Sequence, residues 1–149
     1  MKVRKNIQKL GKIPFREYVL MTEALFLLVF TTILIYLVPL RWWVKWAGEK
    51  KEMERGTGLS ERERKAVRDI RKNVFRANRL LGKPAKCFGL SLTLKRMLAM
   101  RGMQTSLYLG VNKDEAGNLL AHAWLMNGGE TLYGGKHASE KFARLITLT

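Results

Sequence analysis

One thiol and two imidazoles are the side chains in this sequence best suited to nucleophilic and acid–base chemistry. Cys87 is the single cysteine, and His122 and His137 are the two histidines. A lone cysteine excludes an intrachain disulfide framework and a multi-thiolate zinc site, and it fits a reducing compartment. Because no carboxylates are spaced to complete a tetrahedral set with these three residues, we expect neither a metal nor a cofactor, and His137 has no assigned role.

Cys87 begins a predicted helix. The Gly82-Lys83-Pro84 sequence ends the helix before it, and an apolar stripe follows the cysteine until Gly102 ends the second helix. A sulfur in the first turn lies at the positive end of the helix dipole, and Lys83 and Lys86 add positive charge, so the thiolate is favoured. The competing interpretation is a small buried cysteine, which is the commoner fate of a lone cysteine before an apolar helix.

His122 lies within the second of three predicted strands. Alternation places its ring on the same face as Trp124, whereas Ala121 and Ala123 occupy the other face. A histidine in such a strand is by default a core residue with hydrogen-bonded nitrogens. One helix and one strand separate Cys87 from His122, so the chain can return the ring to the sulfur, where it would act as a base.

The elements that must position these groups follow in the order helix, helix, strand, strand, strand. A Ser60-x-x-Glu63 capping box begins a basic amphipathic helix over 60–81. Alternating residues predict strands over 106–111 and 119–126, and Asn127-Gly128 predicts a tight hairpin into a third strand at 131–133. The pattern predicts an α+β fold.

An apolar segment, residues 21–40, lies ahead of these elements. It carries no charge from Ala24 to Leu40, and a helix of that length reaches about 26 Å, the short end of a bilayer span. The following Arg41-Trp42-Trp43-Val44-Lys45-Trp46 is typical of an interfacial aromatic and basic belt. A membrane span and a central helix buried in a helical subdomain are equally open. Polar residues 48–59 predict a linker, and hence a division into 1–58 and 59–149.

Positive charge dominates the composition. The 28 Lys and Arg residues against 12 Asp and Glu give a net charge of +16, which favours anionic partners over cationic ligands. The basic helix over 60–81 therefore leaves open a function without catalysis, namely binding to a membrane surface or to nucleic acid. In that alternative Cys87 and His122 are core residues.

Several motifs occur together in an order that is specific in combination. Lys86-Cys87-Phe88 begins a leucine-rich helix, Arg101-Gly102-Met103 ends it, and the strand 107–111 precedes Ala121-His122-Ala123-Trp124. In these motifs the chain resembles the leader peptidases of lasso-peptide biosynthesis, which are the microcin-processing B proteins of the transglutaminase-like superfamily. The likeness covers residues 60–135, and the apolar segment with its Pro-Leu-Arg-Trp-Trp ending is similar to the family's N-terminal helical region.

This resemblance implies a papain-like or transglutaminase-like α+β domain at 59–149, with Cys87 as nucleophile and His122 as general base and later acid. The reaction would be hydrolysis of one peptide bond in a ribosomally made precursor, and the freed core peptide would pass to an ATP-dependent macrolactam synthetase. Acyl transfer to an amine instead of water is an alternative on the same fold, and product mass separates the two.

The resemblance also implies partners and a location. Nothing ahead of residue 60 resembles a leader-recognition domain, so we expect a stand-alone peptidase that needs a separate leader-recognition protein, and nucleic acid is not an expected partner. The implied location is cytoplasmic, with attachment to the inner face of the cell membrane through residues 21–40 left open.

The third catalytic residue is where the sequence departs from the family pattern. The family supplies an aspartate about a dozen residues after the histidine, but no aspartate follows Asp114 here. We expect Glu130 to orient the ring through its carboxylate, with the amide oxygen of Asn127 or a backbone carbonyl as alternatives. Both side chains flank Gly128-Gly129, where they would also suit a purely structural turn.

Overall fold

The protein has three helices followed by a sheet. The computed structural model describes residues 14–39, 42, 58–82, 84–135 and 137–148. The helices are α1 at Phe15–Leu37, α2 at Glu61–Leu80 and α3 at Cys87–Ala99. The strands are β1 at Ser106–Lys113, β2 at Leu119–Asn127, β3 at Glu130–Tyr133 and β4 at Ala143–Leu148, with a single-turn helix α4 at Ala138–Lys141 before β4. The predicted α+β class is confirmed.

Two predictions about the N-terminal part are not tested by this fold. Lysine-rich residues 1–13 lie outside the described residues, as do Trp43 and Trp46 of the predicted interfacial belt and residues 48–57 of the predicted linker. The division of the chain near residue 58 stays a prediction.

The predicted capping box begins α2. The Glu63 N–H donates to Ser60 Oγ at 3.3 Å, and the Ser60 N–H donates to Glu63 Oε2 at 2.8 Å. Caps of this kind contribute about 1 kcal/mol to helix stability. The helix then buries one apolar stripe in the principal core, formed by Val67, Ile70, Val74 and Ala77.

Helix α1 packs along α2 and α3 through one of its faces. Leu20, Ala24 and Leu28 are buried in the principal core, and the Thr31 hydroxyl meets that of Thr93 at 3.2 Å. Ion pairs anchor the same helix, because Glu17 contacts Lys72 at 2.7 Å and Arg76 at 2.6 Å, and Glu23 contacts Arg101 at 2.7 Å. One narrow face of the apolar segment is therefore buried by protein, and the opposite face is exposed.

The four strands form one antiparallel sheet in the order β3-β2-β1-β4. Leu107, Ala123 and Leu125 pack in the principal core on the side of the helices. Tyr108 and Trp124 alternate to the other face, where they form a second cluster with Ala138 and Phe142. Both faces of β2 are thus covered, and His122 belongs to the face of Trp124.

Strand β4 was not predicted from the sequence. Its sequence is Ala-Arg-Leu-Ile-Thr-Leu, in which Leu145 and Ile146 are consecutive. The alternation of apolar and polar residues expected of a strand is therefore broken. The strand forms because β1 offers a free edge, on which Leu107 lies opposite Leu148 and Gly110 opposite Arg144, with a register shift between. Tertiary pairing supplies what the local pattern lacks.

Candidate active site

Cys87 is the first residue of α3. Its side chain is half-buried and packs against the border of the principal core. Lys86 is the N-cap and makes no side-chain hydrogen bond to the helix end. The first N–H groups of a helix have no partner within the helix, and together with the helix dipole they favour negative charge at this end. The position therefore suits an oxyanion that would form beside the sulfur.

His122 is half-buried near the middle of β2, opposite Gly110 of β1. Its Nε2 lies 2.7 Å from the backbone oxygen of Gly134, and its ring lies 5.1 Å from that of Phe142, centroid to centroid. A carbonyl oxygen only accepts, so this hydrogen bond requires the proton on Nε2. In the neutral ring Nδ1 then keeps its lone pair, which makes it the nitrogen able to accept a proton.

Gly134 reaches the histidine because the chain passes directly over Trp124. Its φ is +99°, a region that side-chain-bearing residues rarely adopt, and a Cβ built on it would overlap Trp124 Cβ. Trp124 is fully buried and stacks on Tyr108 at 5.6 Å. Gly134 thus lies against the Cα and Cβ of a fully buried residue, and from there its oxygen accepts from His122.

Glu130 and Asn127, the two side chains considered for orienting the histidine, have other partners. The Glu130 carboxylate pairs with the Arg64 guanidinium, with N–O distances of 3.1 and 3.2 Å. Asn127 Nδ2 donates a hydrogen bond to the backbone oxygen of Gln104 at 2.7 Å. Among the described residues neither makes a hydrogen bond to His122. Of the three alternatives for orienting His122, only a backbone carbonyl has a contact with the ring among the described residues. It belongs to Gly134, twelve positions after the histidine. A role for Glu130 stays a prediction that no contact of the described chain supports.

Cys87 and His122 have separate surroundings in the described structure. The Cys87 side chain packs against the principal core, whereas the His122 ring contacts Phe142, which packs against the second cluster. Within the described part of the chain, no hydrogen bond connects the two side chains. The nucleophile and base assignments therefore stay predictions.

Tyr133 ends β3 and Gly134 follows it, and each interacts with one of the two candidate groups. The Tyr133 side chain packs against the principal core and contacts Phe75 at 5.8 Å between ring centroids. Burial raises the pKa of its phenol, the negative charge of Cys87 raises that pKa further, and Arg71 opposes them. Gly134, the next residue, accepts the hydrogen bond from His122. Sequence reasoning assigned no role to either, although both stand near the place where the family pattern has its aspartate.

His137 is separate from these groups. It is exposed and its Nδ1 lies 3.0 Å from a carboxylate oxygen of Glu140, one turn further along the chain. In the portion that the structure describes, no three His, Cys, Asp or Glu residues gather as a metal site would require.

A known family also has a model that matches this chain, over a range that includes the cysteine that begins α3 and the histidine of β2. A family model described as the transglutaminase-like superfamily matches residues 34–147. The chain belongs to the transglutaminase-like superfamily. No curated protein and no solved structure gave a match.

Membership of the transglutaminase-like superfamily bears on both candidate residues. The superfamily includes cysteine peptidases. The matched range contains Cys87, His122 and Gly134, and it runs from the end of α1 into β4. The likeness therefore covers the whole sheet apart from its final residue, and not only the short motifs around the cysteine and the histidine.

Proposed function

We propose that this protein is a cysteine peptidase that removes the leader from a ribosomally made lasso-peptide precursor. The observation that carries the proposal is membership of the transglutaminase-like superfamily with Cys87 at the first position of α3 and a histidine in the second strand. The motif likeness around Cys87 and His122 supports the finer assignment to leader removal.

In the proposed reaction the Cys87 thiol gives its proton to Nδ1 of His122. The thiolate attacks the scissile carbonyl, and the resulting oxyanion accepts a hydrogen bond from the Cys87 backbone N–H. Collapse breaks the peptide bond, and His122 returns the proton to the departing amine of the core peptide. Water, deprotonated by the same imidazole, then hydrolyses the leader thioester and regenerates the thiol.

The Gly134 carbonyl takes the orienting role in this mechanism. By accepting from Nε2–H it selects the tautomer whose Nδ1 is basic, and it stabilises the imidazolium that forms during the reaction. A backbone carbonyl is neutral, so it stabilises the imidazolium less than a carboxylate would.

The proposed proton transfer requires a particular geometry at the candidate site. The sulfur and Nδ1 must come within hydrogen-bonding distance, and among the described residues no hydrogen bond joins them. Catalytic hydrogen bonds often become short only when substrate is bound.

The proposed partners follow from the proposed reaction. The substrate is the precursor peptide, a separate leader-recognition protein presents it, and an ATP-dependent macrolactam synthetase consumes the product. The net charge of +16 suits acidic segments of a leader or of the recognition protein.

Mass spectrometry of a precursor incubated with the recognition protein and each variant tests the proposal. Cys87→Ala and His122→Ala should each reduce leader removal by about 10³-fold or more, since residues that act as a unit fail together. His137→Ala is the matched control and should process at the wild-type rate, because His137 is exposed and pairs only with Glu140 in the described structure. Processing that survives Cys87→Ala would overturn the assignment, and a product extended by an amine would indicate acyl transfer.

A further inference from the structure

Helix α1 carries an exposed stripe of large apolar side chains. Phe26, Phe30, Ile33 and Leu37 expose 71%, 52%, 53% and 74% of their surfaces, and Phe15 and Val19 continue the line toward the start of the helix. Their spacing of three, four and seven residues places all six on one side of the helix. We call these six residues the α1 stripe. An apolar surface of this length facing water marks an interaction site.

The opposite side of α1 is fixed to the protein. Leu20, Ala24 and Leu28 are buried, and the Glu17 and Glu23 carboxylates pair with cations of α2 and of the α3–β1 turn. The helix is long and apolar enough to cross a membrane. If α1 crossed the bilayer with its ion pairs intact, it would carry Lys72, Arg76 and Arg101 toward the hydrocarbon, which is costly. If α1 left the protein to cross the bilayer by itself, the principal core would be exposed to water, which is also costly.

The surroundings of the α1 stripe favour a lipid surface over a protein. Arg16 is exposed beside Val19 at one end, and Trp42 is 57% exposed beyond the other end. Basic and aromatic residues at the ends of an apolar helix are typical of membrane interfaces. The net charge of +16 complements anionic headgroups, and the stretch from Ala24 to Leu40 contains no charge that a protein partner could pair.

We propose that the α1 stripe docks this protein onto an anionic bilayer, with α1 lying in the plane of the interface and α2 and α3 on its water side. The helix then acts as a monotopic anchor and does not span the membrane. This inference does not depend on peptidase activity, since it involves neither Cys87 nor His122.

Co-sedimentation of the full-length protein with vesicles tests the docking. Vesicles of phosphatidylcholine mixed with phosphatidylglycerol should bind more protein than phosphatidylcholine alone, and added salt should reduce that excess. The double variant Phe26→Gln/Phe30→Gln should bind at least about tenfold more weakly, because two large rings no longer enter the interface. Circular dichroism and a thermal melt confirm that each variant is folded.

The matched control is Leu119→Gln/Leu120→Gln. These two residues begin β2 and are also exposed, at 68% and 46%, but they lie outside the α1 stripe. Binding should be unchanged in this variant. Equal losses in both double variants, or no binding of the wild type to either vesicle, would overturn the proposal. Self-association that Phe26→Gln/Phe30→Gln abolishes, without vesicle binding, would assign the stripe to a second copy of this chain.

A depth measurement separates the in-plane helix from a spanning one. With Cys87→Ser as background, single cysteines at Val19, Phe26 and Ile33 carry a fluorophore that lipids brominated at different depths can quench. In-plane docking predicts one shallow depth for all three positions. A spanning helix predicts graded depths, because the first and last positions are about 21 Å apart along the axis, and that result would contradict the proposal.

Discussion

At the scale of single residues, the hydrogen bond from His122 to the Gly134 oxygen is the feature that motif reasoning could not locate. A carboxylate or amide can be sought in a sequence, but every residue carries a backbone carbonyl. Which carbonyl meets the ring depends on the path of the chain over Trp124. The positive φ of Gly134 and its close approach to Trp124 set that path.

Replacing Gly134 by Ala should therefore be more damaging than replacing its neighbour. Gly134→Ala and Gly135→Ala both force a side chain into a φ near +100°, which costs about 1–3 kcal/mol. Only Gly134→Ala also places a Cβ against Trp124, so it should lose about 1–3 kcal/mol more. Urea unfolding measures the difference in the free energy of unfolding. Equal losses would mean that the chain does not cross Trp124 as described.

The same pair of variants separates orientation from stability. Among folded molecules, Gly134→Ala should lower the rate of leader removal by displacing the His122 partner, whereas Gly135→Ala should leave the rate close to wild type. Rates are compared at a temperature where circular dichroism shows both variants to be folded.

At the scale of elements, local sequence patterns predicted most of the helices and strands. They did not predict which face of α1 packs against the rest of the protein. The capping box and apolar stripe predicted α2, and alternation with Asn127-Gly128 predicted β1, β2 and β3. The apolar segment gave no indication of which face would be buried, because its apolar residues occupy the whole circumference. The ion pairs of Glu17 and Glu23 fix which face of α1 turns toward the protein. Their cationic partners are 55 to 78 positions away in the sequence, so no local pattern indicates them.

Acid should loosen α1 through Glu17. Hydrogen bonds from Lys72 and from Arg76 lower the pKa of its carboxyl. The resulting stability is present above the unfolded-state pKa, near 4.5, and is lost as pH falls through the lower folded-state pKa. Glu17→Gln should therefore reduce the free energy of unfolding by about 1 kcal/mol at neutral pH, with the deficit vanishing in strong acid.

Glu61→Gln is the control for this experiment. Glu61 is 88% exposed and lies 3.9 Å from Arg64, so its removal should change the free energy of unfolding by less than about 0.5 kcal/mol. A Glu17→Gln deficit that is independent of pH would show that the ion pairs do not hold α1 in place.

At the scale of the whole molecule, the fold joins two surfaces with different predicted tasks. The matched region contains the cysteine, the histidine and the sheet, and α1 adds an exposed apolar stripe to it. Residue patterns anticipated the order of the elements, and both these patterns and the family likeness anticipated the α+β class. Neither could anticipate that the His122 ring would meet Phe142 and the Gly134 oxygen, because residue spacing limits how far the chain can return and not which way a side chain points.

The central claim is that Cys87 and His122 act as a pair, and alkylation of the single cysteine tests it most directly. The rate of Cys87 modification by iodoacetamide is measured at neutral pH by intact mass in wild type, His122→Ala and His137→Ala. A base that takes the proton of the thiol speeds alkylation of the sulfur, so its loss should slow the modification by about tenfold or more. We predict that loss for His122→Ala and the wild-type rate for His137→Ala. Equal rates in all three proteins would contradict the pairing of Cys87 with His122.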